Sequence, residues 1–374
     1  MKLSRRSARS QAVNTDGHVI GLDIGATAVR AAVLALNGKG GGRPVVTVHG
    51  LGSAPLPPGA VVNGVVMEPA AVTAAIQTLW QTHKFKCRRV ILGTSSPQAV
   101  VRPLQIPNLN AQQRAKALPF QAREIIALPL DEVVLDYAQI GDVDATTGMV
   151  SGLLIATPRR PVLAAVEAVQ KAGLKVVRVD LSSFGALRSV ATDALAVQAV
   201  VDIGAHLTSI VIHHDGVPRL VRTVARGGQE LTDLLVENHG LPADEAERLK
   251  RETGMSGEHQ AAAEVIRAGV RPLLAEIRSS VNYFRSANDG IALQGVVLTG
   301  GGAQLAGLAD AVARQVGVAT TIGSAMSAVS TGPVQPVGAA AGRPPVIEKP
   351  GRATGHDISG ATAVSVGLAL GAAA

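Results

Sequence analysis

Val19-Ile20-Gly21-Leu22-Asp23-Ile24-Gly25-Ala26-Thr27-Ala28-Val29-Arg30 near the start of the chain has a counterpart near its middle. That counterpart is Ala199-Val200-Val201-Asp202-Ile203-Gly204-Ala205-His206-Leu207-Thr208-Ser209-Ile210-Val211. In both, an apolar, β-branched run enters the tetrapeptide Asp-Ile-Gly-Ala and a second apolar run leaves it. The pattern reads as a β-hairpin whose tight turn carries an aspartate and presents bare backbone amides. One Asp-x-Gly turn says little, because many β-turns read that way. Two of them, each between β-branched strands, predict a pair of hairpins that clamp a phosphate between them.

The chemistry follows from the residue types. Gly25 and Gly204 have no Cβ, so backbone amides at Ala26 and Ala205 can approach a phosphate closely. Thr27 and Thr208 are candidate hydroxyl donors. Asp23 and Asp202 would repel a phosphate, so a divalent cation between them is expected, and Mg²⁺ suits a site with few carboxylates and several waters. A third element is Val296-Val297-Leu298-Thr299-Gly300-Gly301-Gly302-Ala303, an apolar strand ending in a glycine turn where a flat base or ribose can lie on backbone. Its spacing is not Gly-x-Gly-x-x-Gly, which speaks against a dinucleotide fold. The fourth is Gly227-Gly228-Gln229 at a predicted helix start, whose amides are candidate donors to an α- or β-phosphate.

The 374 residues suffice for two domains, and 47% of them are hydrophobic, so burying a core is no difficulty. Aromatics make up 2%, which argues against a nucleic-acid binder that stacks bases. The net charge of +7 is scattered apart from Lys84, Lys86, Arg88 and Arg89, a run read as a solvated turn before a strand. The single cysteine, Cys87, excludes an intramolecular disulfide and fits a reducing compartment. No stretch reads as a membrane span, so a soluble, cytoplasmic protein is expected.

Along the chain, residues 1–16 form a basic arm expected to be disordered. Residues 17–93, 158–197 and 356–374 form a first lobe, and 94–157 an α+β insertion upon it. Residues 198–330 form a second lobe, and 331–355 a flexible Pro/Gly/Ala-rich loop. Val61 to Val66 reads as one short strand. Two separate helices are expected at Ala261 to Gly269 and Leu273 to Ser286, parted by Pro272.

The two Asp-x-Gly hairpins and the late glycine turn resemble the actin-like ATPase superfamily. Within it the chain is similar to the PilM family of type IV pilus assembly, and less so to FtsA of cell division. Further matching stretches are Pro58-Gly59-Ala60-Val61-Val62-Asn63-Gly64, Arg102-Pro103-Leu104-Gln105-Ile106-Pro107, Ala225-Arg226-Gly227-Gly228 and Leu298-Thr299-Gly300-Gly301-Gly302-Ala303. The resemblance implies a bilobal α/β fold, a duplicated ribonuclease-H-like unit with an inserted subdomain. It implies ATP with Mg²⁺ in the interlobe cleft, metal held by Asp23 and Asp202, and those two carboxylates lining up any attacking water. Glu247 and Lys250, in Ala246-Glu247-Arg248-Leu249-Lys250, would contact ribose and adenine, the bland alternative being an i,i+3 ion pair. The implied partner is the cytoplasmic N-terminal tail of PilN, an inner-membrane protein, which would place the chain at the membrane periphery; self-association is a further possibility.

One departure stands out. Where the chaperone and FtsA branches carry a Glu-Pro whose acid positions water, this chain has Ser182-Ser183. A hydroxyl is a far poorer base than a carboxylate at neutral pH. A slow Mg-dependent ATPase is thus the upper expectation, and a nucleotide-gated scaffold without turnover is the first rival. A small-molecule kinase of the same superfamily and an FtsA-like division protein are the others. The kinase lacks an aspartate in a sugar-binding motif, and the FtsA reading lacks a basic face on the tail Ala361 to Ala374.

Overall fold

A computed structural model describes residues 17–40, 43–192, 194–288, 290–323, 325, 346–348 and 360–373. The expected disordered arm lies outside these residues. So does the expected flexible loop, except for three residues placed in a strand below.

The first hairpin is β1 (His18–Ile24) and β2 (Ala28–Gly40), followed by β3 (Arg43–Pro55). The expected single strand at Val61 to Val66 is instead a tiny hairpin of β4 (Val61–Val62) and β5 (Val65–Val66). Asn63 and Gly64 between them both have positive φ (50° and 79°), the two-residue turn that Asn-Gly favours. Helix α1 (Pro69–Thr82) then leads to β6 (Arg89–Thr94).

The insertion contains β7 (Val100–Pro107), α2 (Ala111–Ala122), β8 (Val133–Val143) and β9 (Met149–Pro158), its strands ordered β7-β9-β8. Asn110 opens α2 through a reciprocal capping box with Gln113. Helix α3 (Arg159–Lys171), β10 (Lys175–Leu181) and α4 (Ser182–Val190) return the chain to the first sheet.

The second half runs β11 (Val197–Ile203), β12 (Thr208–His214), β13 (Val217–Val224), α5 (Gly228–His239), α6 (Ala243–Thr253) and α7 (Gln260–Ala287). Then come β14 (Gly295–Thr299), α8 (Leu308–Val316), β15 (Thr320–Ile322), β16 (Val346–Glu348) and α9 (Ala363–Ala373). Strand β16 pairs parallel with β3, so part of the expected loop belongs to a sheet. The two helices expected around Pro272 are one helix of 28 residues. Proline removes one backbone hydrogen bond there, but the stripe Ile266, Val270, Leu273, Ile277, Val281 and Phe284 stays buried across it. Tertiary burial outweighs the local cost.

The first sheet has the order β10-β6-β1-β2-β3-β16 and the second β13-β12-β11-β14-β15. Matching β1 with β11, β2 with β12, β3 with β13, β6 with β14 and β10 with β15 superposes one strand order on the other. In both, the hairpin is antiparallel and its first strand pairs parallel with the strand that follows the crossover. The fold repeats its topology as the sequence repeats its tetrapeptide.

Alternation decides what lies on each face. Ile20, Leu22, Val29, Ala31 and Val33 bury against α1 and α3, while Val19, Ala32 and Leu34 face α4 and α9. In the second sheet Ala199, Val201, Ile203, Ile210 and Ile212 face the outer helices. Val200, Val211 and Val297 share one core with α4 and α9. Those two helices therefore fill the space between the sheets. A Cβ on Gly367 of α9 would collide with the Gly185 carbonyl of α4, and one on Gly21 with the Ser365 carbonyl, so glycine sets both close approaches.

Candidate functional site

Both Asp-Ile-Gly-Ala turns lie at strand ends that open toward the space between the lobes, and they close alike. The Gly25 amide donates to the Ala28 carbonyl at 3.0 Å, and the Gly204 amide to the Leu207 carbonyl at 2.9 Å. Asp23 and Asp202 are the next-to-last residues of β1 and β11. The two carboxylates are close enough that Asp23 is the second cause, after burial, raising Asp202 to a pKa of about 7. Burial also raises Asp23, opposed by the Arg30 guanidinium and by a hydrogen bond from the Ser182 hydroxyl. Two half-buried acids thus share one polar spot, and both hold protons more tightly than isolated carboxylates.

The second turn is hemmed in by glycines. The Gly228 amide donates to the Gly204 carbonyl and the Gln229 amide to the Ala205 carbonyl, each at 2.9 Å. A Cβ on Gly227 would lie 2.5 Å from the Gly204 oxygen and would collide with the Ala205 carbonyl. Gly300, at φ +84°, has Asp202 Oδ1 2.5 Å from where its Cβ would stand, and a Cβ on Gly302 would run into Ile203. Gly301 is exposed and faces open space. Gly227, Gly228, Gly300 and Gly302 therefore crowd the end of β11 and its turn, and Gly300 abuts Asp202 itself. In this state the Gly228 amide serves the turn, and the absence of a side chain on Gly227 lets the start of α5 approach the Gly204 and Ala205 carbonyls.

Glu247 and Lys250 lie on α6 and pair at 2.5 Å. Lys250 Nζ also donates to the Gly228 carbonyl and to Thr232 Oγ1, both at 2.9 Å. Thr232 donates to Glu247 Oε2 at 2.6 Å and Arg251 to Glu247 Oε1 at 2.8 Å. Burial alone would raise Glu247, but the hydrogen bonds from Lys250 and Thr232 hold it below the ordinary range. This network ties α6 to the first turn of α5, directly behind the second hairpin. All three ammonium donors of Lys250 are engaged, so the ion-pair reading of Ala-Glu-x-x-Lys describes this state.

Thr208 is not a phosphate donor here. It is fully buried, sits opposite Ile203 in the ladder, and its hydroxyl donates to the Arg226 carbonyl at 2.9 Å. The register pairs Val29 with Ile24 in the same way, so Thr208 matches Val29 and not Thr27. The true counterpart of Thr27 is His206, half-buried at the second tip; Thr27 itself is exposed.

Two further residues belong to the site and follow from no motif. Arg30, paired with Asp23 across β1–β2, places Nη1 3.0 Å from where a Gly25 Cβ would be. It lowers the proton affinity of both aspartates. Its only sequence signal is a cation inside an apolar β-run. Ser182 begins α4 behind β6, where its Oγ lies 2.7 Å and Asp23 Oδ1 3.5 Å from where a Gly93 Cβ would stand. The Ser182-Ser183 departure thus places a neutral hydroxyl on Asp23.

The donor set bears on which cation fits. Among the described residues no group of three or more His, Cys, Asp or Glu could enclose a metal. Two facing carboxylates suit a cation that keeps waters and takes phosphate oxygens, as Mg²⁺ does, and not a closed transition-metal site.

Two sheets of repeated topology, a helix pair between them and paired Asp-x-Gly turns define an actin-like ATPase fold. The family model described as "Type IV pilus assembly protein PilM" matches residues 21–335, and the chain belongs to that family. Among solved structures it is similar to a PilM-PilN type IV pilus biogenesis complex, with 26% identity, 95% of this chain and 98% of that chain covered, and a TM-score of 0.75. It also resembles, in fold, the ethanolamine utilization protein EutJ from Carboxydothermus hydrogenoformans. There the identity is 17%, the coverage 96% and 93%, and the TM-score 0.53. Among the described residues no helix is long and apolar enough to cross a membrane.

Proposed function

We propose that this actin-like pilus assembly protein binds Mg-ATP between its lobes and, through another surface, the cytoplasmic tail of a PilN-like inner-membrane protein. Its place at the membrane periphery would come through that partner. The observation that carries the nucleotide half is the pair of buried carboxylates, Asp202 and Asp23, set where Gly227, Gly228, Gly300 and Gly302 close in on the second Asp-Ile-Gly-Ala turn. Asp23 and Asp202 would hold the cation, which when bound supplies charge neutralisation at the phosphates. Amides of the Gly25-Ala26-Thr27 and Gly204-Ala205 turns would orient the phosphates, and Gly300 to Gly302 would bed the nucleoside. Arg30 already lies beside Gly25 and is suited to a phosphate oxygen. The similarity to a PilM-PilN complex at 26% identity over nearly the full chain supports the partner half.

The hydrogen bond from Ser182 to Asp23 favours a second reading, a nucleotide-gated scaffold with little turnover. In either case the nucleotide would bias closure of two lobes that share the α4–α9 core. Calorimetry of ATP binding with Mg²⁺, on the native chain and on Asp202→Asn, tests the first half. Pull-down of an inner-membrane pilus tail peptide with and without ATP tests the second. No ATP binding by the native chain overturns the nucleotide reading, and no capture in either state overturns the partner. Single-turnover phosphate release that depends on Asp202 would remove the scaffold reading.

A further inference from the structure

The basic run before β6 has more company in three dimensions than in sequence. Parallel pairing of β6 and β10 sets Lys175 opposite Arg89, and the Lys175 amide donates to the Arg88 carbonyl at 2.7 Å. Arg88 Nη1 reaches across to 3.3 Å from where a Gly173 Cβ would be, so the turn after α1 and the turn after α3 form one surface. Lys84, Lys86, Arg88, Lys171 and Lys175 are all exposed on it. The acid on this end is Glu167, itself exposed and paired with Lys171 at 2.7 Å. Strand β1 starts at the same end, because it runs parallel to β6 with Ile20 opposite Val90.

Helix dipoles account for part of this. Lys84 and Lys171 follow or close the C-terminal turns of α1 and α3, where cations are favoured. Lys86, Arg88 and Lys175 are on no helix, and dipoles leave them unexplained. We propose that this end of the first lobe, opposite the nucleotide cleft, docks on anionic phospholipid headgroups. Clusters of four to eight cations beside a membrane attract acidic lipids, with an affinity that falls as salt screens the charges. Phe85, the aromatic inside the run, is engaged edge-on by Trp80 and stacked on His83, so it is not an open platform for bases. The contact needs no partner tail, so it stands or falls separately from tail capture.

Co-sedimentation of the full chain with vesicles of phosphatidylglycerol and phosphatidylcholine, against phosphatidylcholine alone, is the test. Binding is expected only with the acidic lipid, weakening as salt rises. The triple variant K84E/K86E/R88E should bind at least about tenfold more weakly, with Tm lowered by no more than a few degrees, since all three side chains are exposed and only K84E opposes a helix dipole. Charge reversal of exposed Lys116, Arg219 and Arg278, which changes net charge equally, should cost little. Equal loss in both variants would overturn the patch in favour of bulk charge. So would full retention by the patch variant when deletion of residues 1–16 alone abolishes binding. Absence of vesicle binding, or patch-dependent binding of a DNA duplex in its place, would overturn the lipid assignment.

Discussion

The two Asp-Ile-Gly-Ala turns share a tetrapeptide, a closing hydrogen bond and a strand order, yet they live in different surroundings. The second is welded in place. Its carbonyls accept the first amides of α5, its strand residue Thr208 is bonded to Arg226, and Gly227, Gly300 and Gly302 leave no space around it. The first is looser. Its tip residue Thr27 is exposed, its carbonyl takes only the Leu56 amide at 2.9 Å, and the neighbour nearest Gly25 is the movable end of Arg30. A duplicated fold thus gives one tightly packed jaw and one looser jaw, and the looser one carries Arg30.

The strongest way to break this contrast is a methyl group on each side. Gly227→Ala should cost about 1–3 kcal/mol, because backbone carbonyls at Gly204 and Ala205 cannot yield. Gly25→Ala should cost less, about 1 kcal/mol, since Arg30 can swing away and the Ala28 carbonyl, 3.2 Å from the new Cβ, need give only slightly. Denaturant melts of the two variants measure the difference, and equal costs would remove the asymmetry.

Next in size is the effect of the acids on ligand. Asp202→Asn is expected to weaken Mg-ATP binding by roughly 10–100-fold, read by calorimetry.

The same substitution should have the opposite effect on the empty protein. Asp202 has a folded pKa of about 7 against an ordinary value of 3.8, raised mainly by burial and then by Asp23, so between these values the folded state holds a proton that the unfolded state has lost. The stabilisation this gives is complete below the unfolded value and disappears as pH rises through about 7. Asp202→Asn should therefore melt at a higher temperature than the native chain at pH 8, and the gap should close toward pH 4. A gap independent of pH would mean that Asp202 is neither buried as described nor set beside Asp23.

The smallest expected effect belongs to Arg30. Arg30→Gln removes the charge that lowers the proton affinity of both aspartates. The pH midpoint of Mg-ATP binding should move alkaline by about 0.5–1 unit.

How much of this could be read from the chain alone differs between the jaws as well. The repeated tetrapeptide located both aspartates, and its β-branched flanks are the strands that the register records. Thr208 was misplaced although the residues could have corrected it. Thr27 comes four positions after its aspartate and Thr208 six after its own, so the ladder faces could not match. Arg30 and Ser182 were beyond local pattern, because their contacts depend on β2 folding back on β1 and on α4 docking behind β6. The reading of Glu247 and Lys250 divides in the same way. Their spacing foretold an ion pair, while Thr232 and Gly228, which complete the network, come from another helix.

Helix α9 has a consequence for how the protein is made. Its residues 363–373 cover the inner face of β1 and β2, strands that are synthesised long before it. At ~5–20 residues per second, the first hairpin leaves the ribosome roughly 20–70 s before the helix that covers it. During that interval Val19, Ala32 and Leu34 have no lid, so the first lobe closes only after the second has been made.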